Sequence, residues 1–375
     1  MAMSKMPPKV CFVSLSSYPT LTEKNLGYVG GAEVQQVFLA KELVKHSYKV
    51  SFITYGDEQT STEYVGDIEV IKVYRQEDAS RLSLVTKVRS IWKAMRKANA
   101  DIYFHKAGAA GVVSLFCFLQ RKKFIQCIPS DANVSKELAF PNRRFYHRIA
   151  NRLDIKRANA VVAQSEFQKE MLEKNFGRES NIIKNALPLP AREMPQKTNP
   201  PVILWVATIG EVKQPELFLK LAEAVPEASF QMIGGGGNDL ELYNKVKKSS
   251  TKITNLDFLG FVPFHIINEY FERASIFINT SKIEGFPNTF IQAWMNYTPV
   301  VSLNSDPDEI ICKYRLGFHS KTFDQLVKDT RTLLQNHSLR KELGENGRRY
   351  VEREHNISNV VDSYIEIFNK LLIAS

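Results

Sequence analysis

The chain has 375 residues, 44% of them hydrophobic and 24% charged, with 50 basic against 40 acidic side chains and a net charge of +10. These near-average values exclude a disordered or fibrous protein, the length suits two domains of roughly 180 residues better than one core, and the positive balance favours an anionic partner. The longest apolar run, from Ala109 to Leu119, has about eleven residues where a bilayer span requires roughly twenty; the N-terminus MAMSKMPPKVCFVSL passes into a strand-like stretch without a leader pattern, so a cytoplasmic protein is expected.

Short β-branched runs alternate with helical periodicity from the start: KVCFVSL, a helix from Ala32 to about His46, KVSFITY, DIEVIKV, a basic helix from Leu82 to about Ala98, then DIYF, KFIQCI, NAVVAQ and NIIKNA with helical segments between them. That order is the pattern of parallel strands with crossover helices, the strands buried on both faces. From Pro188 to Pro201 the sequence PLPAREMPQKTNPP prevents regular structure and reads as a linker. A second alternation follows: VILWVA, a helix from Pro215 to about Ala224, SFQMIG, a helix from Asp239, NLDFLG, SIFINT, a helix from about Pro287, and PVVSL. Helices near Asp324 to Gln335, Ser338 to Arg353 and Asn356 to Leu372 close the chain. The expected fold class is α/β, with two Rossmann-like doubly wound parallel-sheet domains over residues 1–190 and 200–355 and a terminal helix, 356–375, crossing back to the first. Ligands bind at the carboxyl ends of such strands, and two sheets facing each other would frame one cleft. Cys11, Cys117, Cys127 and Cys312 lie apart in apolar surroundings and are read as buried thiols, without the close pairs that metal or disulfide frameworks use.

The most informative stretch is NTSKIEGFPNTFIQAWMNYTPVVSL, Asn279 to Leu303. Gly285 allows a tight backbone, Pro287 fits a first helical turn, and free amides at that helix start attract an anion, so the turn Gly285, Phe286, Pro287 and Asn288 is a candidate phosphate site beside Glu284, an acid able to grip sugar hydroxyls. The competing reading is a capped helix that packs Phe290, Ile291 and Trp294 on the core. Lys213, just before the helix at Pro215, can neutralise a departing anion or be an ordinary loop lysine. Gly234 and Gly235, in the run Gly234 to Gly237 after a strand, permit close backbone approach, or mark a flexible turn. Gly30 and Gly31 open a helix after the first strand, with Glu33 capping its first turn. Asp131 follows a strand and either faces a cleft or caps a helix over Val134 to Leu138. His105 and Lys106 follow DIYF. Asp306 and Asp308 imitate a metal-binding pair, but SDPDEI reads as a turn and cap, so no metal is assigned.

EGFPNTFIQAW resembles the E-x7-E region of the family 4 glycosyltransferases. The resemblance implies the GT-B fold and a retaining transfer of a hexosyl unit from a nucleotide-sugar. It places Glu284 on the donor hexose and Gln292, a departure from the second acid, on the ribose. VILWVATIGEVKQPELFLKLAEAVPEASFQMIGGGG resembles the segment that embraces the diphosphate, where Lys213 matches the family's lysine and the uncharged Thr208 stands at its arginine position. Phe261 and Val262 fall where the family holds the base. The loop of Gly30 and Gly31 resembles the acceptor loop, to which His105 is added, and Asp131 falls where many relatives carry a cleft-facing His or His-Asp pair. The implied catalytic set is Glu284, Lys213 and Asp131. The nucleotide-sugar is a substrate, and no cofactor is expected.

The cations of the helix at Leu82 to Ala98, with Arg121 to Lys123 and Arg143 to Arg148, fit either a solvated surface or docking on anionic lipid. Expected partners are a UDP- or GDP-sugar, a glycan or lipid-linked acceptor and an anionic membrane surface. Nucleic acid is not expected, because the basic residues lack a recognition motif or stacking platform. Two other readings stay open: a non-hydrolysing sugar-nucleotide epimerase, and a nucleotide-sugar-binding protein weakened in catalysis by Thr208 and Gln292.

Overall fold

The computed structural model describes residues 7–23, 30–56, 61–106, 109, 111–135, 138, 145–191, 193–237 and 239–373. Two compact units result, one built on Gly30–Asn185 with the N-terminal strand and the chain from Ile357 onward, the other on Ala186–Asn356.

The first unit carries β1 (Lys9–Val13), β2 (Lys49–Gly56), β3 (Thr62–Val65), β4 (Ile68–Arg75), β5 (Ile102–His105), β6 (Lys123–Cys127), β7 (Ala160–Ala163) and β8 (Asn181–Ile182) in one sheet of order β3-β4-β2-β1-β5-β6-β7-β8. All its pairs are parallel except β3 with β4. Its helices are α1 (Tyr18–Thr22), α2 (Gly31–Lys45), α3 (Leu84–Ala98), α4 (Val112–Leu119), α5 (Phe145–Arg157) and α6 (Glu166–Phe176). The basic helix α3 begins two residues later than the periodicity predicts because Ser83 caps it, its hydroxyl accepting from Thr86 N at 3.1 Å. β3, missed in the sequence, is a half-exposed edge strand, where the two-sided apolar signature of a parallel strand is absent.

The second unit carries β9 (Val202–Val206), β10 (Ser229–Ile233), β11 (Leu256–Gly260), β12 (Ile276–Asn279), β13 (Val300–Ser302) and β14 (Gly317–His319) in the fully parallel order β11-β10-β9-β12-β13-β14. Around it pack α7 (Pro215–Ala224), α8 (Leu240–Ser250), α9 (Phe264–Arg273), α10 (Asn288–Met295), α11 (Ile310–Lys313), α12 (Phe323–Gln335) and α13 (His337–Glu354). The core holds Trp205, Phe218, Phe230 and Ile278, and Trp294 of α10 is fully buried.

The last helix, α14 (Ile357–Ile373), returns to the first unit. Val361, Tyr364, Ile367 and Phe368 enter the core that α2 and the sheet form with Leu39, Leu43 and Phe104, because an apolar stripe at helical spacing must find an apolar face. The linker is irregular but anchored to the second unit: Lys197 Nζ donates to Asn296 O at 2.6 Å and Thr298 Oγ1 at 2.7 Å. One sequence reading needs correction. Cys11, Cys117 and Cys127 are buried, but Cys312 is exposed, since on the single-turn α11 it is Ile310 and Ile311 that face inward.

Candidate active site

In each sheet one strand has its chain successors on both sides, and the loops leaving the carboxyl ends there form the natural ligand position. In the second unit that place lies between β9 and β12. The β9 loop delivers Lys213 and the β12 loop delivers Glu284. Their side chains meet: Lys213 Nζ donates to Glu284 Oε1 at 2.5 Å, with only 29% and 13% of the side chains exposed.

Bonds that bridge the chain fix this pair. Lys213 ends a single 3-10 turn, Glu211–Lys213, and Gln214 follows in the left-handed region at φ 46°, a strained conformation that fixed surroundings must hold. Thr280 Oγ1 donates to Lys213 O at 2.7 Å and accepts from Trp205 Nε1 at 2.9 Å. Lys282 N donates to Val212 O at 2.8 Å, and Asn304 Nδ2 reaches Gln214 Oε1 at 3.3 Å. Thr280, Trp205 and Asn304 are therefore positioning residues that sequence reading missed.

Glu284 leads into α10, whose first turn follows Pro287 without a side-chain cap; Phe290 N is taken by Pro287 O at 3.1 Å, and the positive end of the helix dipole faces the turn that carries Glu284. Gly285, Phe286 and Pro287 are buried and Asn288 half-buried. Gly285 is not left-handed, and the Phe286 ring packs against His355 at 4.6 Å between centroids. Phe290, Ile291 and Trp294 are buried as well, so the packing reading and the anion-site reading hold together. Gln292 is 4% exposed.

The glycine run has a structural cause. A Cβ on Gly234 would stand 2.1 Å from Ala207 O, and one on Gly237, at φ 51°, would stand 2.7 Å from Thr208 Cγ2. Gly234 N donates to Gly260 O at 2.8 Å and Ile209 N to Gly235 O at 2.9 Å, so the loops after β9, β10 and β11 are sewn together. Thr208 is exposed, and Phe261 and Val262 are half-buried before α9. A cleft of about 610 Å³ borders these same loops between the starts of α7 and α8, with Glu211, Glu216, Asp239 and Glu241 against Lys245 and Lys282. Four carboxylates facing two ammonium groups disfavour a phosphate there.

In the first unit the corresponding place lies between β1 and β5. Gly30 is the extended N-cap of α2, and the Glu33 carboxyl folds back over it, 2.0 Å from where a Cβ would stand; burial raises the Glu33 pKa. Gly31 is the first residue of α2. His105 is buried and paired through Nδ1 with Gln126 Oε1 at 3.0 Å. The buried Lys106 donates to Asn185 Oδ1 at 2.9 Å, and burial pushes its pKa down to about 8. Asp131 opens a 3-10 turn capped by Ser130, and its Oδ1 accepts from Gln168 Nε2 at 2.9 Å; among the described residues no α-helix follows over Val134 to Leu138 for it to cap.

The Asp306 and Asp308 segment is a turn: Asp306 Oδ1 accepts from Ile311 N at 2.8 Å, and Asp308 is left-handed. Among the described residues no group of three or more His, Cys, Asp or Glu is placed to hold a metal, and no helix is long and apolar enough to cross a membrane. Of the basic residues singled out in the sequence, Arg143 and Arg144 lie outside the described residues.

Comparison with known proteins agrees with this layout. Residues 191–350 match the glycosyl transferases group 1 model and residues 29–189 the glycosyltransferase family 4 model. The chain is 22% identical over 353 residues to an uncharacterized glycosyltransferase of Haemophilus influenzae, covering 91% of this chain and 96% of that one. In fold it is similar to sucrose-phosphate synthase from Thermosynechococcus elongatus, with a TM-score of 0.80 at 16% identity over 98% of this chain and 100% of the other. It is also similar to Anabaena HepE in complex with UDP and glucose, with a TM-score of 0.74 at 15% identity over 97% and 100%. With two family models tiling most of its length, the chain belongs to the family 4 type of glycosyltransferases and has their GT-B fold.

Proposed function

We propose that this glycosyltransferase moves a hexosyl unit from a UDP- or GDP-sugar to a glycan or lipid-linked acceptor, with retention at the anomeric carbon. The carrying observation is the 2.5 Å contact between Lys213 and Glu284 beside the uncapped start of α10. A diphosphate at those amides draws Lys213 to itself, and the lysine then neutralises the charge that grows as the glycosyl–phosphate bond breaks. Glu284, released from the lysine, accepts from the sugar hydroxyls, and Gln292 bonds the ribose. Front-face departure and attack, with a donor phosphate oxygen taking the acceptor proton, needs no second carboxylate from the protein. In this reading Thr208, Phe261 and Val262 serve the nucleotide, and Gly30, Gly31, His105 and Asp131 serve the acceptor. No metal is assigned a part, so transfer should survive chelation. HepE, solved with UDP and glucose, supports a nucleotide-sugar of this kind, and the acid-free basic helix α3 supports peripheral contact with an anionic membrane on the cytoplasmic side.

A thermal-shift screen of UDP- and GDP-sugars identifies the donor, since a ligand at 100 times its Kd adds about 2.7 kcal/mol. Product analysis with the donor found then tests the reaction. An α-linked product from an α-linked donor is expected; a changed donor without any acceptor makes the chain an epimerase, and binding without turnover in membrane extract makes it a binding protein.

A further inference from the structure

Helix α4, with the sequence VVSLFCFL, turns apolar side chains both inward and outward. Val113, Phe116 and Cys117 are buried, with the Phe116 ring between Trp92 and Tyr103 at 5.0 and 5.3 Å. Leu115, Phe118 and Leu119, at helical spacings of three and four that put them on one stripe, are 38%, 67% and 56% exposed. Neighbouring α5 adds Ile149 and Leu153, 45% and 37% exposed and also one turn apart. A surface helix normally shows water its polar face, and a contiguous exposed apolar patch marks an interaction site.

Charge narrows the partner. The helices packed on either side of α4 are α3 and α5. α3 carries five cations and no carboxylate; α5 carries four cations and one carboxylate, Asp154, which is buried and accepts from Gly111 N at 2.7 Å. The Arg157 guanidinium lies over the Phe118 ring at 5.6 Å, which places a cation at the rim of the apolar stripe. An apolar ridge rimmed by cations, with no exposed acid on the three helices, matches a layer that is apolar below and anionic at its surface.

We propose that α4 is a wedge whose Phe118 and Leu119 enter the headgroup–acyl boundary of an anionic bilayer while the cations of α3 and α5 hold the phosphates. This deepens the peripheral-membrane part of the proposed function: adsorption by charge alone fades as salt screens it, whereas an inserted ridge stays bound.

The test uses the full chain and vesicles of phosphatidylglycerol and phosphatidylcholine, sedimented in low and in high salt. The wild type should remain bound in high salt. The Phe118→Ser/Leu119→Ser variant, altered only at exposed positions, should lose on the order of a hundredfold in high-salt partitioning while it keeps low-salt adsorption and activity on a water-soluble acceptor. A triple variant with Lys93, Arg96 and Lys97 changed to Ala separates the two ideas. If only the triple variant loses binding, charge-driven adsorption stands and the wedge is overturned. Absence of binding by the wild type overturns both. A wild-type dimer in solution that the double variant dissolves also overturns the wedge, because the ridge then meets a second copy of the chain.

Discussion

Replacing Glu284 with Gln tests the core of the proposed chemistry, because it removes one charge and almost no volume. In the free protein the acid neutralises Lys213 across 2.5 Å. Unit charges about 4 Å apart attract by about 4 kcal/mol at an effective dielectric constant near 20, and after desolvation a hydrogen bond to a charged group keeps about 1.5–3 kcal/mol. A bare nucleoside diphosphate must displace that partner. In the Glu284→Gln variant the lysine is released in advance, so calorimetry should show UDP, or GDP if that is the donor nucleotide, bound about ten- to a hundredfold more tightly. Transfer should fall by about 100- to 1,000-fold, as when one charge-stabilising contact in a transition state is lost. The amide cannot accept as a charged group does, so the advantage of nucleotide-sugar over free nucleotide should vanish. Lys213 keeps partial contact with water, so the thermal midpoint should move by only a few degrees. Equal weakening of nucleotide and nucleotide-sugar, or unchanged turnover, would refute the exchange.

Three further outcomes follow from packing and burial. Gly344 of α13 lies against the turn after α10, and a Cβ there would stand 2.2 Å from Tyr297 O; Gly344→Ala should cost about 2–3 kcal/mol in urea unfolding and weaken donor binding by shifting α10. Lys197→Met leaves Asn296 O and Thr298 Oγ1 without the ammonium and should cost about 3 kcal/mol, read as a lower urea midpoint with an unchanged slope. Burial holds the Lys106 ammonium near pKa 8, down from 10.5, so its proton is bound more weakly in the folded than in the unfolded chain and stability gained from this group rises between about pH 8 and 10. The buried thiols, raised by burial, act oppositely; the comparison is therefore wild type against Lys106→Met, whose relative midpoint should be highest below pH 8 and decline above it.

The alternation of strands and helices was legible because buried parallel strands are apolar on both faces and their helices amphipathic. β3 and β14 were not. The first is an exposed edge, and the second, Gly317–His319, is a three-residue run that carries no period. Lys213 and Glu284 were readable one by one, the acid from its turn and the lysine from the helix start beside it. Their contact was not, because it is made by Thr280 and Trp205, which lie 67 and 75 positions from the groups they bind. The glycines at Gly234 to Gly237 were legible as a turn, yet their cause, the carbonyl of Ala207 pressed against Gly234, belongs to another loop. Cys312 failed for the opposite reason: its neighbours are apolar, but a single helical turn separates inward from outward within two residues.

Four polar side chains at the two strand-end positions are engaged within the protein. Lys213 holds Glu284, Asp131 accepts from Gln168, His105 bonds Gln126, and Lys106 bonds Asn185. Each pairing removes the cost of leaving a buried group unsatisfied, and each sets a condition on what enters. A ligand that takes one member without replacing the other's bond strands a partly buried donor or acceptor, at about 1–3 kcal/mol or more for a charge. A free sugar would occupy Glu284 and leave Lys213 uncompensated, and a free diphosphate would do the reverse. Only a molecule with an anionic diphosphate and a ring of hydroxyls a few ångströms apart satisfies both. Under the proposed function, selectivity for a nucleotide-sugar follows from the bond between Lys213 and Glu284.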